Sequence, residues 1–197
     1  QQALLEKVQG MKKGDWFVLA GSLPKSIPVS FFVNVARICA NGGIHFVLDT
    51  SGPALRELIH TKPFLIKPNK EELGELFDTE IKTKQEAFYY AKKLVEKGIE
   101  HVVVSMGGEG ALLVTKDLAL VAEAPKGQVV NTVGAGDSLV AGFIASYVKN
   151  QDATAAFHYG VASGSATAFQ SDLCEKQDVE KLLDQVIINP LNTRDVK

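Results

Sequence analysis

The sequence has few cysteines and no long apolar run, and each shortage argues against a class of protein. Its two cysteines, Cys39 and Cys174, are far apart, and neither has a second cysteine or a histidine at metal-ligand spacing. A disulfide framework and a zinc module are therefore disfavoured, and reduced thiols in a cytoplasmic protein are expected. The best apolar run, 139–148, has about half of the ~20 residues that a membrane helix requires, so no membrane partner is expected.

The sequence also lacks an excess of basic residues. With 21 Lys and Arg against 23 Asp and Glu, the formal net charge is -2, and no electrostatic footprint for nucleic acid is visible. The phosphate-binding pattern Gly-x-x-x-x-Gly-Lys-Ser/Thr is missing too, which excludes the enzymes that depend on that loop. The four histidines, at 45, 60, 101 and 158, form no catalytic triad or metal motif. They are expected to have packing or surface roles.

The composition is that of an ordinary globular protein, with 46% hydrophobic and 22% charged residues. Along the chain, strand patterns and helix patterns alternate repeatedly. Because parallel strands need crossover connections, the alternation predicts an α/β fold with a mostly parallel central sheet. Short apolar runs that end at turn residues predict strands at 16–20, 45–48, 64–66, 101–105, 111–115 and 119–123. Helical periodicity and end signals predict helices at 29–41, 135–149, 153–169 and 176–186. They also predict one helix that begins at Asn69 and another that ends at Gly98.

The chain starts within a helical pattern. Gln1 is not a methionine, and residues 3–8 have the spacing of the middle of an amphipathic helix. We therefore expect a fragment whose N-terminal part is absent. No internal repeat, low-complexity linker or second domain boundary is visible within 1–197.

The most specific motif is Asn-Thr-Val-Gly-Ala-Gly-Asp-Ser at 131–138, after a strand and at the start of a helix. Gly134 and Gly136 permit close approach of a ligand to the backbone, and the N–H groups of 134–137 would form an anion site at a helix N-terminus. Asp137 lies inside this site, where a carboxylate costs electrostatic energy. The functional hypothesis is a general base that deprotonates a hydroxyl as it attacks the terminal phosphate of ATP. The alternative is an ordinary acidic residue in a first helical turn.

A second motif is Lys-Pro-Asn-Lys-Glu-Glu at 67–72. Asn69 and Glu72 are three residues apart and lie near one helix N-terminus. They are typical of a capping box, in which each side chain accepts a hydrogen bond from the other residue's backbone. They could also order Mg²⁺ and its waters against phosphates, and both roles are compatible.

Three weaker glycine- or small-residue segments remain. Ser-Met-Gly-Gly-Glu-Gly at 105–110 follows a strand and is either a nucleotide loop or a turn between strands. Gly-Ser-Leu-Pro at 21–24 also follows a strand and has a plain turn as its alternative. The small residues at 162–166 interrupt a helical pattern and predict either contact with an adenine or close helix packing.

In this order, these segments resemble the ribokinase-like (PfkB) carbohydrate kinase family, over 21–168. The resemblance implies a ribokinase-like three-layer α/β/α fold in which 1–197 is the C-terminal portion of a single kinase domain. The N-terminal strands, the lid and most sugar-binding residues would lie outside this chain. ATP and Mg²⁺ are the implied cofactors, and the full-length enzyme would be a homodimer.

The resemblance also implies a role for individual residues. Asp137 would be the catalytic base, and Gly134, Ala135 and Gly136 would form the anion hole. Asn69 and Glu72 would organise Mg²⁺, and Lys67 would bind the acceptor together with Asp137. The nucleotide would be lined by Ser105, Gly107, Gly108, Glu109, Gly110, Gly136, Asp137, Ser163 and Gly164.

Two features resemble the phosphosugar branch of that family: the Gly-Ser-Leu-Pro segment at 21–24 and the lysine at 67. They imply ATP-dependent phosphorylation of fructose 1-phosphate to fructose 1,6-bisphosphate. Tagatose 6-phosphate, fructose 6-phosphate and a nucleoside stay open as acceptors, because the sugar-binding segment is outside the chain. A nucleotide-binding module without catalysis is the alternative of another class, and a carboxylate within an anion site argues against it.

Overall fold

The computed structural model describes residues 1–191, in which strands and helices alternate. The strands are β1 (Trp16–Ala20), β2 (His45–Asp49), β3 (Leu65–Ile66), β4 (His101–Ser105), β5 (Ala111–Val114), β6 (Ala119–Ala122) and β7 (Ile188–Pro190). The α-helices are α1 (Gln2–Gln9), α2 (Val29–Gly42), α3 (Gly52–Leu58), α4 (Lys70–Leu76), α5 (Lys84–Glu96), α6 (Ala135–Asn150), α7 (Ala153–Ala168) and α8 (Lys176–Glu180).

The seven strands form one sheet in sequence order, from β1 to β7. Strands β1 to β4 pair in parallel, and β6 and β7 pair antiparallel. The predicted α/β fold with a mostly parallel sheet is therefore confirmed. Within residues 1–191, no helix has both the length and the apolar content needed to cross a bilayer.

One compact unit contains Gln1–Val103 with Val114–Asp117 and is called the first unit. Trp16 pairs with His45 in the parallel register of β1 and β2, and Val47 pairs with Leu65 in that of β2 and β3. The central residues of β2 are buried, and so are the first four residues of β4. A parallel strand covered on both faces is a continuous apolar run rather than an alternating one, which is why these strands could be predicted.

Local signals fix the helix ends in the first unit. Gly43 ends α2 in a left-handed conformation with φ of 65°, which glycine adopts at low cost. Thr83 and Glu86 form a capping box at the start of α5. Ser51 occupies the N-cap position of α3, with proline in the first turn, but its side chain makes no capping hydrogen bond.

The second unit contains Val104–Leu113 and the described residues from Leu118 onward. Its α6 and α7 pack closely because glycines line their contact. A Cβ atom at Gly160 would lie 2.8 Å from the carbonyl oxygen of Leu139, and one at Gly142 would collide with the Ser163 hydroxyl. Phe143 and Phe157 are fully buried and fill the core of this unit.

Three sequence-based expectations were wrong or incomplete. The small residues at 162–166 do not interrupt a helix, because α7 continues through them to Ala168. The helix predicted at 176–186 ends at Glu180 and is followed by a 3₁₀ turn, Leu183–Gln185. The short β7 was not predicted, because three residues that include a proline give no strand pattern.

Candidate active site

The turn before α6 leaves the N-terminus of that helix without a side-chain cap. Gly134 is the N-cap residue and has φ of 78°, in the left-handed region that glycine tolerates. Its N-cap position provides no side-chain acceptor for the first N–H groups of the helix. The Ala135 N–H donates to the Thr132 carbonyl at 3.2 Å. The Gly136 and Asp137 N–H groups have no acceptor within a helix and are available to an anion. This uncapped helix start is compatible with the anion site at 134–136, which stays a prediction.

The Asp137 side chain lies in the first turn of α6 and is exposed. An exposed carboxylate beside uncapped N–H groups can accept a proton from a bound hydroxyl. The Ser138 N–H donates to the carbonyl oxygen of Gly134 at 2.8 Å, so the helical ladder begins at the residue after the aspartate. The predicted base and the predicted anion hole thus share one helical turn.

Asn131 holds the segment that leads into this turn. Its side-chain oxygen accepts a hydrogen bond from the Val133 N–H at 3.0 Å, and its amide donates to the Ser171 carbonyl at 3.3 Å. Its backbone N–H donates to the Ala168 carbonyl at 3.2 Å. The motif's first residue therefore fastens the turn to the end of α7 and the residues that follow it.

Ser163 and Gly164 lie buried in α7. The Ser163 hydroxyl donates to the carbonyl oxygen of Tyr159, one helical turn earlier, at 2.8 Å. A Cβ atom at Gly164 would lie 2.9 Å from the carbonyl oxygen of Ala135, in the first turn of α6. Close packing thus accounts for these small residues, and a role in nucleotide binding stays a prediction.

The segment 105–110 forms a closed turn at the carboxyl end of β4. The Met106 N–H donates to the Gly110 carbonyl at 2.9 Å. Gly110 has φ of 93°, and a Cβ atom there would collide with the carbonyl oxygen of Ala122. Gly107 and Gly108 are exposed, and added Cβ atoms there would meet nothing within 4 Å. The fold requires Gly110, whereas the other two leave an open backbone surface that a nucleotide could approach.

In the first unit, Asn69 and Glu72 form the capping box of α4. The Glu72 N–H donates to Asn69 Oδ1 at 2.7 Å, and the Asn69 N–H donates to Glu72 Oε2 at 2.9 Å. Both residues are half-buried. The capping alternative is therefore confirmed, and it fixes both side chains at one helix N-terminus.

The same capping box also fits the metal hypothesis. Within the described residues, Glu72 Oε1 has no hydrogen-bond partner, so one carboxylate oxygen is left for a cation or its water. The structure describes no cluster of three or more His, Cys, Asp or Glu residues suited to a metal. Mg²⁺ is usually held by one or two carboxylates, several waters and substrate phosphates, so a single glutamate beside an amide is compatible with it.

Lys67 is buried and forms an ion pair that the sequence did not predict. Its Nζ lies 3.2 Å from Asp49 Oδ1, with the side chains 9% and 13% exposed. Asp49 ends β2 and Lys67 follows β3, so both lie at the carboxyl ends of parallel strands, where ligands of such sheets bind. The signal for Asp49 was its place directly after the apolar run 45–48.

The segment 21–24 is attached beside this ion pair. The Gly21 N–H donates to the Asp49 carbonyl at 2.9 Å, and the Thr50 hydroxyl donates to the Gly21 carbonyl at 2.7 Å. Ser22 and Pro24 are exposed. The first unit therefore brings the 21–24 segment next to Asp49, the partner of Lys67.

Two buried titratable groups lie away from these residues. Burial raises the pKa of the Cys39 thiol to about 11, so this cysteine is an unreactive core residue. Burial also lowers the pKa of His101, whose ring Nδ1 lies 3.2 Å from the carbonyl oxygen of Phe64. Neither group is part of the candidate site.

Comparison with known families gives one match over most of the chain. The family described as pfkB family carbohydrate kinase matches residues 1–179. A 1-phosphofructokinase of Bacillus subtilis is 49% identical over 96% of this chain and 63% of the relative. A 1-phosphofructokinase of Borreliella burgdorferi is 36% identical over 98% of this chain and 62% of the relative. The chain therefore spans less than two thirds of the length of these curated relatives.

Solved structures give the same fold. A Staphylococcus aureus protein described as a phosphofructokinase superposes with a TM-score of 0.91 and 38% identity, over 96% of this chain and 62% of its own. Phosphofructokinase-2 from Escherichia coli in complex with fructose-6-phosphate gives a TM-score of 0.87 and 29% identity, over 93% of this chain and 60% of its own. These similarities confirm the predicted ribokinase-like α/β fold.

Proposed function

The chain belongs to the pfkB family of carbohydrate kinases, and on that premise we propose that its full-length protein phosphorylates fructose 1-phosphate with ATP. The product is fructose 1,6-bisphosphate, formed when the C6 hydroxyl of the sugar takes the terminal phosphoryl group. Two relatives named 1-phosphofructokinase, at 49% and 36% identity, support this acceptor. The lysine at 67 supports a sugar that already carries a phosphate.

The observation that carries the proposal is the exposed carboxylate of Asp137 beside uncapped N–H groups. A site that only binds phosphate gains nothing from a carboxylate there, because the two negative charges repel each other. A phosphotransferase does gain, because the carboxylate takes the proton from the attacking hydroxyl. This argument favours a kinase over a nucleotide-binding module.

In the proposed reaction, the C6 oxygen bonds to the γ-phosphorus of ATP, and the bond from that phosphorus to the bridging oxygen of ADP breaks. Asp137 takes the C6 hydroxyl proton. The N–H groups of Gly134, Gly136 and Asp137 donate hydrogen bonds to the oxygens of the transferring phosphoryl group, where charge spreads in the transition state. The helix N-terminus provides these donors already oriented.

The remaining residues have binding roles in this proposal. Asn69 and Glu72 would hold Mg²⁺, and the bound metal would supply positive charge against the phosphates. Lys67 donates to the acceptor, with its position set by Asp49. The open backbone of 105–110 receives the nucleotide, and Ser163 and Gly164 contribute through their contact with α6.

D-tagatose 1-phosphate is a second candidate acceptor. A D-tagatose-1-phosphate kinase of Bacillus licheniformis is 32% identical over 97% of this chain and 63% of the relative. Tagatose 1-phosphate differs from fructose 1-phosphate in configuration at one carbon and has the same C6 hydroxyl, so the proposed chemistry is unchanged. Recognition of that carbon distinguishes the two functions.

The test is ADP release from MgATP by the full-length protein with matched sugar phosphates: fructose 1-phosphate, tagatose 1-phosphate, fructose 6-phosphate and tagatose 6-phosphate. We expect the highest kcat/KM with fructose 1-phosphate. A preference for another sugar phosphate would retain the chemistry and reject the acceptor. Binding of MgATP without ADP release for any sugar would reject the kinase in favour of the binding module. We also expect a homodimer, which light scattering would detect.

A further inference from the structure

Thr167 of α7 makes a hydrogen bond that leaves its own helix. Its hydroxyl donates to the Ser138 hydroxyl oxygen of α6 at 2.7 Å. Serine and threonine in helices usually bond to the carbonyl four residues earlier, as Ser163 does with Tyr159 in this helix. Thr167 instead bonds to Ser138, the residue that follows Asp137. The Thr167 side chain is buried, with 1% of the residue exposed.

Thr167 takes part in a second hydrogen bond as well. The Cys174 N–H donates to Thr167 Oγ1 at 3.2 Å. A hydroxyl has one hydrogen to donate and two lone pairs to accept, so Thr167 can take the Cys174 N–H and still bond to Ser138. The carbonyl of Ser163, the usual partner for residue 167, has the Cys174 thiol at 3.5 Å. These contacts form a short relay: Cys174 N–H to Thr167 to Ser138.

The first turn of α6 has no side-chain cap of its own. Gly134 provides no capping side chain, so the helix start that carries Asp137 lacks the usual local anchor. On α7, Gly164 allows Ala135 to approach closely, which gives contact but no directional bond to a side chain. The Thr167–Ser138 bond is directional and lies one residue beyond the aspartate.

We propose that Thr167 is a positioning residue that holds the first turn of α6, and with it Asp137, in the orientation needed for proton transfer. The inference rests on the proposed role of Asp137 as the base. A general base acts only within hydrogen-bonding reach of its proton, so a small rotation of this turn lowers turnover more than binding. Thr167 itself does not touch the substrate.

The test uses the full-length protein and three substitutions. Thr167→Val keeps the shape and removes the hydroxyl, Thr167→Ser keeps the hydroxyl, and Ser146→Ala removes another buried hydroxyl two turns along α6. For Thr167→Val we expect kcat to fall on the order of 10-fold, with KM values for both substrates within about twofold of wild type. Thr167→Ser should recover most of kcat, and Ser146→Ala should retain it.

A merely structural role predicts a different pattern. In that case Thr167→Val and Ser146→Ala would both have lower melting temperatures, and kcat per folded molecule would be unchanged in both. That result would overturn the inference.

Amide hydrogen exchange of Ala135 and Ser138, whose N–H groups donate to the carbonyls of Thr132 and Gly134, tests the tether without any sugar, even if the proposed kinase activity fails. Faster exchange in Thr167→Val than in Ser146→Ala supports the tether, and equal exchange rejects it. Absence of wild-type turnover with every sugar phosphate would instead count against the proposed function.

Discussion

Lys67 and Asp49 form a buried ion pair, with 3.2 Å between Nζ and Oδ1, at the carboxyl ends of neighbouring parallel strands. The desolvation of two charges is costly, so such a pair is weak evidence for a purely stabilising role. Its place at the ligand-binding end of the strands instead indicates a lysine whose position is set in advance.

Breaking this pair from one side is expected to lower stability. Asp49→Asn leaves the Lys67 ammonium buried without its counter-charge, and such losses cost about 3 kcal/mol of unfolding free energy. Urea unfolding measures the change. Lys67→Met is the matched variant that removes the other charge. In the double variant, the loss of unfolding free energy should differ strongly from the sum of the losses in the two single variants. Additive effects would mean that the two side chains do not interact.

The sequence was informative where a local pattern determines the structure. Asn69 and Glu72 could be identified because a capping box joins residues three apart in one helical turn. Asp49 and Lys67 could not be paired, because parallel strand pairing, not chain proximity, brings them together. The bond from Thr167 to Ser138, 29 residues apart, depends equally on how two helices pack.

The capping and metal roles of Glu72 can be separated. Glu72→Gln retains an oxygen that can accept the Asn69 N–H, so we expect unfolding free energy to fall by less than about 1 kcal/mol. It removes the charge, so the Mg²⁺ concentration for half-maximal activity should rise severalfold. Glu72→Ala should lower both stability and activity. An unchanged Mg²⁺ requirement in Glu72→Gln would assign the residue to capping alone.

Two glycines of the 105–110 segment should respond differently to alanine. Gly110→Ala adds a Cβ atom that collides with the Ala122 carbonyl oxygen, at a backbone φ of 93°. We expect the unfolding free energy to fall by about 1–3 kcal/mol or more. Gly108→Ala meets open space and should change stability by no more than about 0.5 kcal/mol. Thermal unfolding of both variants checks this. Equal destabilisation would contradict the described turn, and a raised KM for ATP in Gly108→Ala alone would support nucleotide contact there.

His101 should make stability fall in acid. Burial lowers its pKa in the folded protein, whereas in the unfolded chain it stays near the usual value of about 6.5. Below that value the unfolded state binds a proton that the folded state does not, so unfolding free energy decreases as pH falls. Melting temperatures of wild type and His101→Phe between pH 8 and pH 5 measure the effect. The melting temperature of the wild type should fall further than that of the variant as pH is lowered. Parallel curves of melting temperature against pH would contradict the prediction.

The central claim is that Asp137 is the base of a phosphotransferase, and its most direct test is turnover and ATP binding by Asp137→Asn in the full-length protein. Asparagine keeps the size of the side chain but cannot take a proton. We predict that kcat with fructose 1-phosphate falls by at least ~10²-fold while the affinity for MgATP is retained. Near-wild-type turnover in this variant would contradict the assignment and the mechanism built on it.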